Sequence, residues 1–262
     1  LAVTIATWNV NSILARLPTA LAVLQEVNAD VVCLQELKCE DARFPRLEIE
    51  ALGYHVETLG QKTYNGVAIL TKLRVEEVRR GLPGMAEDPQ ARYLEVVLAA
   101  PSGPIRVASI YAPNGNPVDS EKYPYKLQFL DCLHRHAVEL LAYEEPLILA
   151  GDYNIIPGPD DCHDPKAWEG DALFRPETRA AWRRLIYLGL TDAFAQADGR
   201  AHSYSFWDYQ AGAWPKDHGI RIDHLLLSAQ AGDRLESARI HRAARGMEKP
   251  SDHVPVLGVF TL

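Results

Sequence analysis

Eight short β-type runs recur along the chain: Val3–Trp8, Val31–Gln35, Gly66–Thr71, Tyr93–Leu98, Ile105–Tyr111, Leu147–Gly151, Ile222–Leu227 and Pro255–Phe260. Most are rich in Val, Ile and Leu and are bounded by polar residues, Gly or Pro. A strand with one wet face alternates apolar and polar residues. Several of these runs are apolar at consecutive positions, which predicts strands covered on both faces. Three amphipathic helices lie between them, each opened by a proline. Pro18 precedes Leu21, Leu24 and Val27; Pro124 precedes Leu127, Leu130, Leu133, Ala137 and Leu141; Pro176 precedes Ala180, Ala181, Leu185 and Leu188. Proline at the first helical position lacks only an N–H that had no partner, and the spacing gives each helix one apolar stripe. Two stacked sheets flanked by outer helices satisfy both patterns.

No repeat, low-complexity tract or linker interrupts the pattern, so residues 1–262 are read as one domain. The longest irregular stretches are Gly81–Gln90, Pro113–Lys122 and Pro157–Arg175, and long loops in a compact domain are often functional. The net charge is -8, which argues against a wide basic face for nucleic acid. It agrees with carboxylates gathered around a cation, and a local basic rim can still steer phosphate. None of the four cysteines (Cys33, Cys39, Cys132 and Cys162) forms a CxxC pair, so no zinc site is expected. A reduced, cytoplasmic compartment fits them best. The N-terminus carries no basic-then-apolar leader, and no apolar stretch is long enough for a membrane span.

The informative residues lie where strands stop. Trp8-Asn9-Val10-Asn11, Gln35-Glu36, Tyr111 with Pro113-Asn114, Gly151-Asp152-Tyr153-Asn154, Arg221-Ile222-Asp223-His224 and Ser251-Asp252-His253 follow or flank apolar runs. Each alone has an ordinary reading, since Asp and Asn after a strand are common turn formers. Asp223 within an apolar run is harder to dismiss, because a buried carboxylate needs a partner. If these ends converge on one sheet edge, they collect acids, a histidine, a tyrosine and several amides. Hard divalent cations take oxygen ligands, with Mg²⁺ using only one or two carboxylates. Phosphodiester hydrolysis needs an activated water, charge neutralisation and help for the leaving oxygen, and this set can supply all three.

In that order, the set resembles the exonuclease III family of DNA-repair nucleases, within the endonuclease/exonuclease/phosphatase superfamily. The similarity runs from Thr7-Trp8-Asn9 to Ser251-Asp252-His253. Gln35-Glu36-Leu37-Lys38-Cys39 resembles the family's QETKC element, and Asn65–Leu70 its GVALL strand. Ser203–Asp208 and Arg221–Ser228 resemble YTFWD and RIDHLLLS, the two most specific elements. The resemblance implies a four-layer α/β sandwich of two mostly antiparallel sheets, and a Mg²⁺-dependent enzyme in which Mn²⁺ can substitute. Its implied substrate is double-stranded DNA with abasic sites or blocked or recessed 3′ ends, and the chain is expected to act as a monomer. Glu36 is the implied main metal carboxylate, with Asn9, Asp152, Asn154 and Asp252 on the metal side. Asp152 is implied to activate water, Asn154 to hold the water or a phosphate oxygen, and His253 to contact the scissile phosphate. Asp223 is implied to fix and charge the imidazole of His253, and Tyr111 to assist the departing oxygen. Asn11, Lys38 and Asn114 are expected at the substrate, and Phe206, Trp207 and Trp214 in an apolar pocket for a flipped abasic sugar. Lys62, Lys122, Lys126 and Arg175, like Lys38, are candidates for phosphate contacts. Gln210 stands where the family carries an arginine, and the segment His163–Arg175 is unexplained by the motifs.

Two rival readings use the same residues. One is a superfamily phosphatase acting on a sugar or lipid phosphate, which does not need the aromatic stretch Phe206–Trp214. The other is a non-catalytic binding protein that kept the fold. Retention of Glu36, Asp152, Asp223 and His253 argues against it, because buried acids without a task cost stability.

Overall fold

Apolar runs become inner strands here because each is covered on both sides. The computed structural model describes residues 1–262. One sheet contains β1 (Ala2–Asn9), β2 (Val31–Gln35), β3 (His55–Leu59), β4 (Val67–Thr71), β11 (Leu235–Ile240) and β12 (Val256–Thr261), in the order β11-β12-β1-β2-β4-β3. The other contains β5 (Arg74–Arg80), β6 (Tyr93–Ala100), β7 (Gly103–Tyr111), β8 (Leu147–Asp152), β9 (Thr191–Asp192) and β10 (Asp223–Leu227), in the order β5-β6-β7-β8-β10-β9. Alternation along β2 shows why both faces are apolar. Val31 and Cys33 join the core between the sheets, while Val32 and Leu34 join the core under helix α1 (Leu17–Val27). The second sheet buries Ala108, Ile110 and Leu149 on its outer face, with Phe129, Leu133 and Leu185 from the covering helices. Helices, sheet, sheet and helices make the expected four-layer α/β sandwich.

All eight sequence-predicted strands are present. The four that carried no apolar run, β3, β5, β9 and β11, are the four sheet edges. Edge strands are half wet and can be short and charged: β5 reads RVEEVRR and is mostly exposed, and β9 has two residues. The predicted helices are α1, in which Pro18 stands in the first turn, and two later ones. They are Lys122–Leu141, which starts two residues before Pro124, and Pro176–Ile186, which starts at its proline. One-turn helices such as Arg46–Glu50 and Pro165–Trp168 carried no periodic signal.

Each sheet contains one parallel pair, β1 with β2 and β7 with β8; every other pairing is antiparallel. Parallel neighbours need a crossover, which α1 and helix Lys122–Leu141 supply. Parallel pairing puts both carboxyl ends at the same edge, the place where open α/β sheets bind ligands. Asn9 and Glu36 therefore end one pair, and Tyr111 and Asp152 end the other. Antiparallel β10 starts at this same edge, because Asp223 is the register partner of Asp152. Gly151 permits the close approach of β7 and β8 just before that edge: a Cβ there would lie 2.1 Å from the carbonyl oxygen of Ile110.

A polar network fastens helix Lys122–Leu141 to the second sheet. Glu95 on β6 accepts hydrogen bonds from Tyr93 Oη (2.5 Å), His136 Nε2 (2.7 Å) and Arg106 (2.8 Å), and is buried. Burial opposes its charge, but His136, Tyr93 and Arg106 outweigh it and hold the carboxyl down at about 2. That stabilisation is complete above the ordinary carboxylate range and is lost as pH falls toward 2. Glu95→Gln should lower the unfolding free energy at pH 7 by about 3 kcal/mol. Urea unfolding at several pH values checks this, and the gap between variant and parent should begin to narrow below about pH 4.5 and close only near about pH 2.

Candidate active site

The amide of Asn9 is the geometric centre of the strand-end cluster. Asn9 is fully buried, and its Nδ2 donates to Glu36 Oε1 and to Asp152 Oδ2, each at 2.9 Å. One side chain thus links the two sheets at their shared edge. Its Oδ1 accepts from the backbone N–H of Asn11 (2.9 Å), which turns the chain away from β1. Asn11, Glu36, Lys38 and Asn154 all have positive φ, between 43° and 54°. Such backbone is uncommon outside glycine and clusters at functional sites.

Asp152 Oδ1 accepts from the backbone N–H of Asn154 (3.0 Å), and Asn154 Nδ2 donates to the carbonyl of Ala112 (2.8 Å). His253 lies between two acids: its Nδ1 is 2.8 Å from Asp223 Oδ2 and its Nε2 is 3.7 Å from Asp152 Oδ2. Burial disfavours the imidazolium, but Asp223 and Asp152 outweigh it and push the ring up to about 10. Charged in this way, the ring carries a proton on both nitrogens and can donate from Nε2 into the cleft. Asp152 is raised, first by burial and further by the charges of Asp223 and Glu36. The Tyr111 phenol is pushed well up, first by burial and then by Glu36 and Asp152, so it stays protonated.

Glu36, Asp152 and His253 each bring a ligand-type atom within 4.8 Å of one another. Asp252 lines the same cleft, and its Oδ1 is buried without a protein partner. A buried acceptor with no donor is costly, and a cluster of carboxylate and amide oxygens suits a hard divalent cation. Glu36, Asp152 and Asp252 fit that role, with Asn9 oriented by donating its amide to the first two. Glu36 and Asp152 are the acidic members of a cluster able to hold a metal ion.

The cleft beside the cluster has a volume of about 330 Å³. One wall is apolar, built from Phe206, Ile220, Ile222, Leu173 and Trp168. Phe206 meets the His253 ring edge-on, with centroids 5.0 Å apart. Asn114 also lines the cleft, and its Oδ1 accepts from Asn116. Lys38 bonds Asn11 Oδ1 (2.8 Å) and lies 3.5 Å from Glu36, on the rim.

Twelve of the fourteen candidate site residues converge on this edge or its rim; the exceptions are instructive. Trp207 is fully buried in the core under the first sheet, with its Nε1 donating to Asp217 (2.9 Å). It cannot touch a substrate in the cleft. Trp214 packs edge-on against Trp207 and under the Arg242 guanidinium, away from the cleft. Side chains alternate along extended backbone, so the bridges of Phe206 to Ile220 and His253 aim it at the cleft and its neighbour into the core. Lys126 is fully buried and so is removed from the candidate phosphate contacts. Other contributors were not singled out. Ser251 Oγ donates to the carbonyl of Asn9 (2.7 Å) and accepts from the N–H of His253 (3.2 Å); Ser205 Oγ accepts from the N–H groups of Ile222 and Asp223. Serine beside Asp-His was the only sequence signal for the first, and nothing local marked the second.

The unexplained segment His163–Arg175 supplies Trp168, Asp171 and Leu173 to the cleft. Asp171 accepts from Asn116 Nδ2 (3.0 Å), which ties this segment to the loop after β7. Gln210 is exposed, in a turn capped by Asp208.

Residues 6–253 match the model of the Endonuclease/Exonuclease/phosphatase family. The chain is 36% identical over 261 residues to an exodeoxyribonuclease III of Haemophilus influenzae, spanning 97% of this chain and 98% of that protein. It is 31% identical to an exodeoxyribonuclease of Bacillus subtilis over 254 residues, with 95% and 96% covered. Among solved structures, a Neisseria 3′ phosphatase bound to a product DNA hairpin superposes with a TM-score of 0.94 at 35% identity, covering 99% of this chain and 100% of that one. An Archaeoglobus fulgidus AP endonuclease gives a TM-score of 0.93 at 34% identity, with the same coverage. A full-length match in sequence and fold, centred on the paired strand ends that hold Asn9, Glu36, Asp152 and His253, places the chain in the endonuclease/exonuclease/phosphatase family.

Proposed function

We propose that the chain is a Mg²⁺-dependent DNA-repair phosphodiesterase that incises duplex DNA on the 5′ side of abasic sites and trims or unblocks 3′ ends. The observation that carries the reading is the run of contacts Asp223–His253–Asp152–Asn9–Glu36, set against a cleft with one apolar wall. Similarity to an exodeoxyribonuclease III and an AP endonuclease supports DNA as the substrate.

The roles follow from charge and protonation. His253, cationic between two acids, donates from Nε2 to a non-bridging phosphate oxygen and stabilises the charge that builds there. Asp152 is raised, held by Asn9 and Asn154, and placed to orient a water and take its proton. Asn154 helps hold that water or a phosphate oxygen. Tyr111 keeps its proton and can donate it toward the leaving oxygen. Bound Mg²⁺, held by Glu36 and Asp252 with Asn9 alongside, would neutralise phosphoryl charge and polarise the scissile group. The wall of Phe206, Ile220 and Ile222 offers apolar surface to a sugar without a base. Asn11, Lys38 and Asn114 on the rim contact the flanking strand, and Lys122 and Arg92 line the adjoining cleft.

Asp152→Asn and His253→Asn should each lower the rate of incision at an abasic duplex by about three orders of magnitude or more. A labelled abasic duplex and a recessed 3′ end, each with Mg²⁺ and with chelator, provide the readout. Near-parental rates in either variant would sink the assignment, and hydrolysis of sugar phosphates without DNA cleavage would move the site to the phosphatase branch.

Calorimetric titration should show Mg²⁺ binding to the parent protein, and Glu36→Gln should weaken it at least about tenfold. Unchanged affinity would remove Glu36 from the metal site. Duplex affinity should fall with salt along a shallow slope, about two to four released ions, because the protein is acidic overall. A slope near ten would contradict a narrow basic rim.

A further inference from the structure

We infer that Lys126 is a positioning residue for the hydrolytic site, an internal ammonium that fastens the three loops forming the cleft floor. This rests on the active-site reading above. In helix Lys122–Leu141 the buried residues Tyr123, Lys126, Leu130, Leu133, Ala137 and Leu140 fall at alternating spacings of three and four. Lys126 thus occupies a place on the apolar stripe, where a hydrocarbon side chain would be the cheapest choice. It is fully buried.

Its partners are carbonyls. Nζ donates to the backbone oxygens of Asn154 (2.5 Å), Asn114 (3.0 Å) and Ala172 (3.1 Å). Burial pulls the amine down to about 7, opposed by the charges of Asp152 and Asp171; three carbonyl acceptors use all three N–H donors of the ammonium and so favour the charged form. The three carbonyls belong to three separate segments: one after β7, one after β8, and one in the otherwise unexplained stretch before Pro176. Each segment puts side chains into the cleft: Asn114, Asn154, and the pair Asp171 and Leu173. At Asn154 the consequence is direct. Its backbone is left-handed (φ 49°), its N–H holds Asp152 Oδ1, its side chain holds Ala112, and its carbonyl is held by Lys126. Releasing that carbonyl frees a strained residue whose N–H orients the proposed base.

Gly115 makes room for the stem. A Cβ at this position (φ 90°) would lie 2.7 Å from Lys126 Cδ. Burying an ammonium is expensive, and apolar replacements of buried charges are frequently neutral or stabilising. A lysine on an apolar stripe therefore needs a return other than stability, and loop registration at the site provides it.

Lys126→Met, which keeps the stem length without the charge, tests this against Asp152→Asn as reference. Expected is a cooperatively folded protein whose kcat on the abasic duplex falls about 10- to 100-fold while KM changes less than about threefold. In Lys126→Ala, which lacks the atoms of one propylammonium, added propylammonium should restore part of kcat and propanol should not. A folded Lys126→Met with kcat within about twofold of the parent, or rescue by the alcohol as good as by the amine, overturns the inference. If Lys126→Met does not fold, Lys126→Gln replaces it, because it shortens the side chain and removes the charge while keeping a polar group on the stem. In Lys126→Gln a lowered kcat at little-changed KM is expected, and unaltered kinetics overturn the proposal. Failure of this inference alone would leave Asp152→Asn inactive, whereas an active Asp152→Asn would remove the underlying site reading.

Discussion

Two carboxylates from different sheets, Glu36 and Asp152, are held at one place by the amide of Asn9. Like charges brought together repel, and burial and the charges of Asp223 and Glu36 raise the proton affinity of Asp152, so the pair needs an organiser. Asn9 provides one hydrogen for each acid, and its fully buried position fixes both bonds. The rest of the architecture serves this juxtaposition. It requires β1 and β8 to end at the same level in facing sheets, and the two parallel pairs with their helical crossovers achieve that.

Polar groups between the sheets add a second constraint. Gln35 Nε2 donates to Thr7 Oγ1 (3.0 Å) and to Ser109 Oγ (3.1 Å), while Ser109 Oγ donates to the carbonyl of Leu34 (2.9 Å). The seam lies one residue before Glu36, between layers that are otherwise apolar. Apolar side chains tolerate small slides of one sheet over the other, whereas hydrogen bonds of this kind do not. They fix the relative register of the sheets, and so the distance between the acids that follow.

The cleft has an electrostatic side and an apolar side, and different elements build them. Strand ends carry the charged groups, so their positions inherit the rigidity of the sheets. The apolar wall comes from the segment 168–173 and from the bridges around Phe206 and Ile220. Arg221 anchors the base of that wall, with ion pairs of 2.8 Å to Asp161 and to Asp192. The charged groups thus sit on the sandwich itself, while the shape of the cleft depends on loops.

The sequence by itself determined the inner strands, the layer order and the set of polar residues at the strand ends. Those features follow from burial on both faces, which leaves a continuous apolar run, and from the polar residues that end each run. The four edge strands escaped because an edge keeps a wet face and needs no such run. Tertiary structure alone decided which aromatic faces the cleft. Phe206 and Trp207 are neighbours with similar composition signals, and only pairing with Ile220 and His253 fixes which side each takes. It also decided the place of Lys126. The sequence offered it as a candidate phosphate contact, whereas the fold buries it against three partners from segments 12, 28 and 46 residues away in sequence. Local pattern reports the burial of apolar residues; whether a polar side chain is buried, and which groups meet it there, is set by the packing of distant segments, and that information exists only once the chain has folded.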